Sequence, residues 1–495
     1  MKVFVYLGKK LEHFFSYCCT KLSCFQQYFL GVLSSLFHFL VFHVNPMWIH
    51  LSYYITLSLV GYIALKVSKL KTTSFRSSSL DLFFTSMSAS TVSSMSTMEM
   101  EVFSNIQLVI MTILMLLGRE IFTSFLRLQL LRSKYFTKRE NIETRVHVNA
   151  SNVEKFCLSC VIFCYILVVH LIGSALILLY LSLVPSAREV LNKKGLSIQT
   201  FSIFTTVSTF SNCGFIPTNE NMMIFKKNSD LLLLLIPQVL LGNTLFAPCL
   251  RFLIWVLEKS SKRVEFSYML KNSREIGYSH LLPSLHSSFL VITVFLMILV
   301  QVILFGSMEW NSEVVEGLNT KQKLVASLFQ VVNSRHTGES VFDLSTISPA
   351  VLVLFVVMMY LPAYTSFLPI HDCQKALKDG KRRTKRNKLL EYLPFSQLSY
   401  LVLFIILICI TERDKMREDP LNFNVLNVTI EVVSAYGNVG FSTGYSCAWK
   451  LKPDPSCKDA WYGFVGRWSD KGKLILILIM FIGKLKNFSI KVGRA

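Results

Sequence analysis

Charge is the first thing this sequence has little of. Only 16% of its 495 residues are Asp, Glu, Lys or Arg, against 52% hydrophobic ones, and the mean hydropathy is +0.48. A chain this long with so few charges cannot present a polar surface all round. That excludes an ordinary soluble globular protein and fits several bilayer spans. Acidic residues are the scarcer sign, 30 against 51 basic, for a net charge of +21. The excess is not the footprint of a nucleic-acid partner, because the basic residues gather in short segments between apolar runs, where membrane proteins carry cytoplasmic loops. No nucleotide-binding or nucleophile motif is present, and the ten histidines are scattered. Lone ones such as His170 and His280 read as structural or interfacial, so neither a nucleotide-driven pump nor an enzyme with convergent catalytic groups is indicated. No cleavable signal is convincing either: the first apolar block follows Lys9, Lys10 and Lys21 and has no clear small-residue cleavage site.

Of the twelve cysteines, ten lie in or beside apolar segments, where a thiol behaves as a small hydrophobe. Cys157 and Cys160 form a single CxxC with no second ligand pair, which argues against a metal site. Cys447 and Cys457 fall in a polar loop that the topology below places outside the cell, where a disulfide and two free thiols are both open readings.

The apolar runs fall into a fourfold order. Residues 1–46 form a cytoplasmic or interfacial N-terminal segment, ended by Asn45-Pro46. Pore repeat 1 covers 47–131: a span Met47 to Val67, a short dipping helix from Leu80, and a return span Phe103 to about Leu131. A basic link, 132–155, leads to repeat 2 (156–257), with spans Phe156 to Val184 and Leu231 to Val256 around the dip Ile198 to Gly214. After the link 258–283, repeat 3 (284–371) places spans Leu285 to Phe305 and Pro349 to Pro369 around the dip Lys323 to Gly338. After the link 372–393, repeat 4 (394–495) places Phe395 to Thr411 and Lys473 to about Lys486 around the dip Asn422 to Gly440. The expectation is an all-α polytopic membrane protein of eight transmembrane helices and four re-entrant pore helices around one central pore. The basic links and both termini then lie on the cytoplasmic side. Asn149-Ala150-Ser151 matches a glycosylation acceptor but falls on that side.

Each dip ends in a polar stretch, and these lie about 100 to 125 residues apart. Non-helical backbone at membrane depth survives only if it is buried in protein or lines water. A glycine at each apex (Gly214, Gly338 and Gly440) lets carbonyl oxygens turn to a common axis and replace an ion's water shell. Repeat 1 offers no glycine; Ser94 stands in its place and adds a hydroxyl to one quadrant. Ser93, Asn212, Cys213, Asn438 and Val439 flank these positions. Pore helices entering from outside point their negative C-terminal ends at the ion, which favours cations. Glu99, Glu101, Glu220 and Glu339 are candidate acids of the outer mouth, either concentrating cations or held in salt bridges.

Thr91-Val92-Ser93-Ser94-Met95, Val207 to Phe215, Asn333 to Glu339 and Ser434 to Tyr445, with Met358-Met359-Tyr360-Leu361-Pro362, resemble the plant HKT-type sodium/potassium transporters of the Trk/Ktr superfamily. The likeness runs from about residue 36 to the end. It implies four span–pore–span repeats around one pore, a homodimer in the lipid of the plasma membrane, no cofactor, and Na+ passing Ser94, Gly214, Gly338 and Gly440. Members with serine at the first filter position look sodium-selective, which implies sodium uniport and a role in removing sodium from xylem sap; mixed Na+/K+ transport is the alternative. Where the family usually has arginine after a glycine in the last span, this chain has Gly483-Lys484. The resemblance makes Lys484 a barrier charge just inside the filter; a lysine snorkelling to the interface is the plainer reading. Arg119 replaces a second glycine common in relatives. A mid-span arginine costs ~2.5–3.5 kcal/mol by insertion scales, so an acid such as Glu120, or water, is expected beside it.

Overall fold

The computed structural model describes residues 46–71, 78–137, 142–261, 263–273, 276–366, 397–450, 457, 459 and 463–492. The N-terminal segment to Asn45 and the whole of the link 372–393 with its flanks, including the expected span end at Pro369, lie outside the described residues. Two compact units, Met1–Tyr53 and Tyr54–Ala495, divide the chain. Of the first, only the start of the helix Pro46–Val67 is described; every contact below belongs to the second.

Repeat 1 runs from α1 (Pro46–Val67) through the pore helix α2 (Ser79–Thr91) to α3 (Asn105–Gly118) and α4 (Glu120–Thr137). Repeat 2 has α5 (Ile142–Leu183), the short α6 (Pro185–Lys193), the pore helix α7 (Ile198–Ser211), α8 (Ser229–Gly242) and α9 (Phe246–Ser261). After α10 (Val264–Lys271), repeat 3 contributes α11 (Ser284–Glu309), the pore helix α12 (Thr320–Asn333) and α13 (Pro349–Tyr360). Repeat 4 has α14 (Gln397–Thr411), the short α15 (Arg413–Glu418), the pore helix α16 (Val425–Gly437) and α17 (Asp470–Val492). The all-helical plan of four span–pore-helix–span repeats is therefore as expected.

The pore helices are 13 or 14 residues long, about 20 Å at 1.5 Å per residue, too short to cross ~30 Å of hydrocarbon. Each begins after a capping side chain or its equivalent. Ser78, Ser197 and Asn424 accept from the backbone N–H of Leu80, Thr200 and Asn427, and Gln322 accepts from Asn319 N at 2.9 Å. Their interiors are almost wholly buried. The many hydroxyls there bond the preceding turn, as Thr91 Oγ1 does to Met87 O at 2.7 Å and Thr206 Oγ1 to Ser202 O at 2.8 Å. Around them the outer helices expose apolar side chains, among them Leu171, Ile172, Phe295 and Ile303. In an aqueous protein such a belt is unsupportable; against lipid it is required.

The outer spans correct the sequence reading in three places. The two return spans expected to be continuous are broken: α3 and α4 bend by 56° at Arg119, and α8 and α9 by 83° at the segment after Gly242. Arg119 is extended (φ −68°, ψ 142°), and Asn243 leaves the helical region altogether (φ −139°, ψ −83°). In repeat 3 the return helix stops at Tyr360 because Leu361 precedes a proline and is driven extended (φ −67°, ψ 135°). The link 132–155 is largely helix, since α5 starts at Ile142 and, at 42 residues, is about 63 Å long.

Both breaks follow a glycine packed against the pore helix, a close approach that repeat 4 makes within an unbroken helix. A Cβ at Gly118 would sit 1.8 Å from Ser90 O, one at Gly242 2.3 Å from Phe210 O, and one at Gly483 2.2 Å from Tyr436 O. Ser90, Phe210 and Tyr436 each lie four residues before their filter position, so in three repeats the return span crosses against the same turn of its pore helix. Repeat 3 has no glycine there; Arg335 Nη2 donates instead to Pro362 O at 3.0 Å.

Candidate functional site

The last turn of each pore helix reverses the chain. Val92, Asn212 and Asn438 take left-handed conformations (φ 59°, 56° and 52°), and the next residue closes the helix end. Ser93 N, Cys213 N and Val439 N donate to Ser88 O, Ser208 O and Ser434 O, each at 2.9 Å. In repeat 3 a closure of the same span falls one residue later, on Gly338 itself, whose N donates to Asn333 O at 3.1 Å.

The next residue is the filter position. Gly214, Gly338 and Gly440 adopt φ of +91°, +73° and +103°. Besides this left-handed backbone, each is denied a side chain by the following quadrant. A Cβ on Gly214 would stand 1.8 Å from Thr337 O, on Gly338 2.3 Å from Val439 O, and on Gly440 2.3 Å from Ser94 Cβ and 3.0 Å from Ser93 O. The four loops thus close into a ring, repeat 2 on 3, 3 on 4, and 4 on 1. Ser94 shares the positive φ, +51°, which costs a side-chain-bearing residue ~1–2 kcal/mol. Its Oγ lies 3.0 Å from the place a Cβ would take on Gly440 and 3.3 Å from that on Gly214. The hydroxymethyl group therefore fills space between the first quadrant and both neighbours.

Side chains pin the ring. Asn212 Nδ2 donates to Thr337 Oγ1 at 2.8 Å, and Asn438 Nδ2 to Ser93 Oγ at 2.7 Å, the same staple made from repeat 2 to 3 and from 4 to 1. Gly214 N and Gly440 N donate to Ser208 Oγ and Ser434 Oγ at 3.1 and 2.9 Å. Cys213 and Val439 are wholly buried. Ser94, Gly214, Gly338 and Gly440 line one pocket of about 140 Å³. Beneath them the residues two positions earlier, Val92, Asn212, His336 and Asn438, line a second cavity of about 400 Å³. A mouth, a constriction lined by backbone, and a chamber follow one another, the layout of a four-repeat membrane pore.

Of the acids expected at the mouth, two are in the salt bridges that were one of the two readings, and Glu339 is displaced. Glu339 is fully buried behind the filter, accepting from Thr209 Oγ1 at 2.5 Å. Glu101 and Glu220 are both held by Lys194, at 2.5 and 2.6 Å, so one of their two negative charges is offset. Glu99 accepts from Asn219 Nδ2 at 3.2 Å. Among the described residues the acids that line the mouth are Asp343 and Asp459; Asp343 lies five residues after Gly338, the offset of Glu99 from Ser94, whereas Asp459 lies 19 residues after Gly440. Cys447 and Cys457 are joined in a disulfide, with Cα atoms 6.0 Å apart. Asp459, two residues beyond it, accepts from Cys447 N at 2.6 Å.

Three cations, Arg119, Lys484 and Lys486, line the inner chamber where the return spans cross. Lys484 follows Gly483, is 9% exposed and lines the chamber, with the face of Tyr54 5.7 Å away. It does not snorkel to a surface. Arg119 follows Gly118. Its guanidinium donates Nη2 to Gly242 O and stacks 3.8 Å from the Phe210 ring centre, so a carbonyl and an aromatic face hold it directly, with Glu120 lining the same chamber.

The comparisons agree with this class. The model of the TrkH family, described as cation transport protein, matches residues 53–370 and 381–495. The chain is 51% identical to the sodium transporter HKT1 of Arabidopsis thaliana, over 87% of this chain and 91% of that one. It is 47% identical to the cation transporter HKT1;3 of Oryza sativa subsp. japonica, over 98% of each. The crystal structure of the potassium transporter TrkH from Vibrio parahaemolyticus shares the fold, with a TM-score of 0.54 and 14% identity, covering 91% of this chain and 85% of that one. The chain belongs to the TrkH family of cation transport proteins, among its plant HKT-type members.

Proposed function

We propose that this protein is a passive, sodium-selective uniporter of the plasma membrane, with its basic links and termini cytoplasmic and the filter mouth outward. The observation that carries the selectivity is Ser94, a side-chain-bearing residue at φ +51° in a ring whose other three members are glycines. Its hydroxymethyl group narrows one quadrant, and a narrower ring compensates best the smaller ion, Na+, for its lost water. Similarity to a protein named as a sodium transporter supports the same ion. Flow needs no nucleotide, since the membrane potential supplies ~2.3 kcal/mol per charge per 100 mV. Retrieval of Na+ from xylem sap is the plant role this fits.

A mixed Na+/K+ transporter is the second reading, favoured by the three quadrants that glycine leaves open. Two-electrode voltage clamp with Na+ and K+ varied separately decides. A reversal potential that follows Na+ alone is expected; one that follows K+ as closely overturns the selectivity.

A further inference from the structure

The chamber beneath the filter is basic, although cations are to leave through it. Arg119, Lys484 and Lys486 line it, and Glu120 is the sole acid among its described lining residues. Lys486 is provided for: its ammonium donates to Tyr436 O at 3.1 Å and lies 4.2 Å over that ring. Arg119 commits Nη2 and one face, which leaves Nε and Nη1 without a partner among the described residues in a side chain only 3% exposed. Lys484 has still less, with no hydrogen bond or ion pair to any described residue, only the Tyr54 ring beside it and the attraction of Glu120, a single acid that it shares with Arg119 and Lys486. A buried ammonium and a half-satisfied guanidinium are costly unless something of opposite charge completes them.

Two further features suit an anion. Helix α4 begins at Glu120, so its N-terminal turn, with its positive partial charge, opens on the same chamber, which Glu120 and Ile121 line. The volume, about 400 Å³, admits an ion with several waters, each of which takes ~30 Å³ in the liquid. An oxyanion of higher charge fits less well, because one end of the Arg119 fork is already given to Gly242 O.

We propose that this chamber is a binding site for a small monovalent inorganic anion of chloride size, held between the Lys484 ammonium and the free edge of Arg119. Rested on the reading of this path as a sodium pathway, the anion has a regulatory sense. Bound, it offsets the two cations below the filter and lowers the barrier to a departing Na+; absent, the barrier stands at full height.

Chloride-35 NMR of the purified full-length protein in lipid nanodiscs tests the site without any need for transport. Excess, saturable line broadening is expected for the unaltered protein. Lys484→Gln and Arg119→Gln should each weaken chloride binding about tenfold, the loss of one charge-assisted contact. Lys484→Arg should retain binding, which separates loss of the site from loss of the fold. Lys321→Gln, at an exposed ion pair with Asp230, should leave the broadening unchanged. No saturable broadening, or broadening that survives both Gln variants, overturns the site. In patches at fixed Na+, replacing chloride on the basic-link side by a large organic anion should reduce current severalfold, and an unchanged current overturns the regulatory role. Absence of any Na+ current would instead overturn the sodium reading and leave the NMR result standing.

Discussion

Quadrant one of the filter differs from the other three in having a side chain, and from its neighbours in how it is held. Gly214 and Gly338 are glycines because the next quadrant's backbone lies where a Cβ would go, and Gly440 because the Ser94 side chain does. Ser94 keeps the same backbone turn, with φ +51°, but its Cβ has room. The difference teaches that the glycines are demanded by ring closure, whereas the residue at 94 is free to vary and so can set what the ring passes. The largest effect should come from breaking the closed side. In Gly214→Ala the new methyl meets Thr337 O, which the packed ring cannot yield to, on top of ~1–2 kcal/mol of left-handed strain. Transport is expected to be abolished while the protein still reaches the membrane; wild-type currents in Gly214→Ala would refute the ring geometry.

The open side gives the next effect. Ser94→Gly removes the hydroxymethyl group and its strain, so the ring should widen without destabilising. The K+/Na+ permeability ratio should rise about tenfold, the equivalent of ~1.4 kcal/mol in relative barrier height, measured from bi-ionic reversal potentials. An unchanged ratio would remove Ser94 from the selectivity argument.

The staples sharpen the comparison further. Asn438 ties quadrant four to one, through Ser93, and Asn212 ties two to three, through Thr337. Each bond is worth ~0.5–1.5 kcal/mol, so Asn438→Ala and Asn212→Ala should lower thermal stability by similar amounts. Only Asn438→Ala, which frees the backbone beside Ser94, should also move the permeability ratio toward K+, by less than Ser94→Gly does. Equal shifts in both variants would mean that the ring responds as a whole and quadrant one is not special.

Much of this was legible from residue order alone. The polar runs between apolar segments, three of them glycine-tipped, marked four repeats and four candidate positions that line one pocket, because an apolar span and a left-handed glycine leave local marks. What depends on contacts between distant repeats left none. The burial of Glu339 against Thr209, and the pairing of Glu101 with Lys194, join separate repeats. Even within one repeat, the approach of Gly118 to Ser90 and of Gly242 to Phe210 spans 28 and 32 residues and left no local mark. Asp459 reaches the mouth only through loop geometry. Position in the chain told which residues are acidic; packing decided which of them an entering cation meets.

The smallest expected effect lies at the mouth, where Lys194 of repeat 2 joins Glu101 of repeat 1 to Glu220 of its own repeat. This clip ties quadrant one to quadrant two above the filter, so it should govern stability and leave selectivity alone. Burial works against the Lys194 charge, but its hydrogen bonds to Glu101 and Glu220 outweigh that and hold its pKa above the ordinary 10.5. A raised pKa in the folded state means that the stabilisation is fully present below 10.5 and is lost as pH climbs through the raised value. Lys194→Gln should therefore cost a partly buried ion pair's modest amount, ~1 kcal/mol or less, by the same margin at pH 7 and pH 9. The two proteins should converge only in stronger alkali, when followed by thermal unfolding in detergent, with the K+/Na+ ratio unaltered throughout. A margin that vanishes by pH 8 would show that Lys194 is not held by the two acids, and a shifted ion ratio would show that the clip, and not Ser94 alone, shapes the first quadrant.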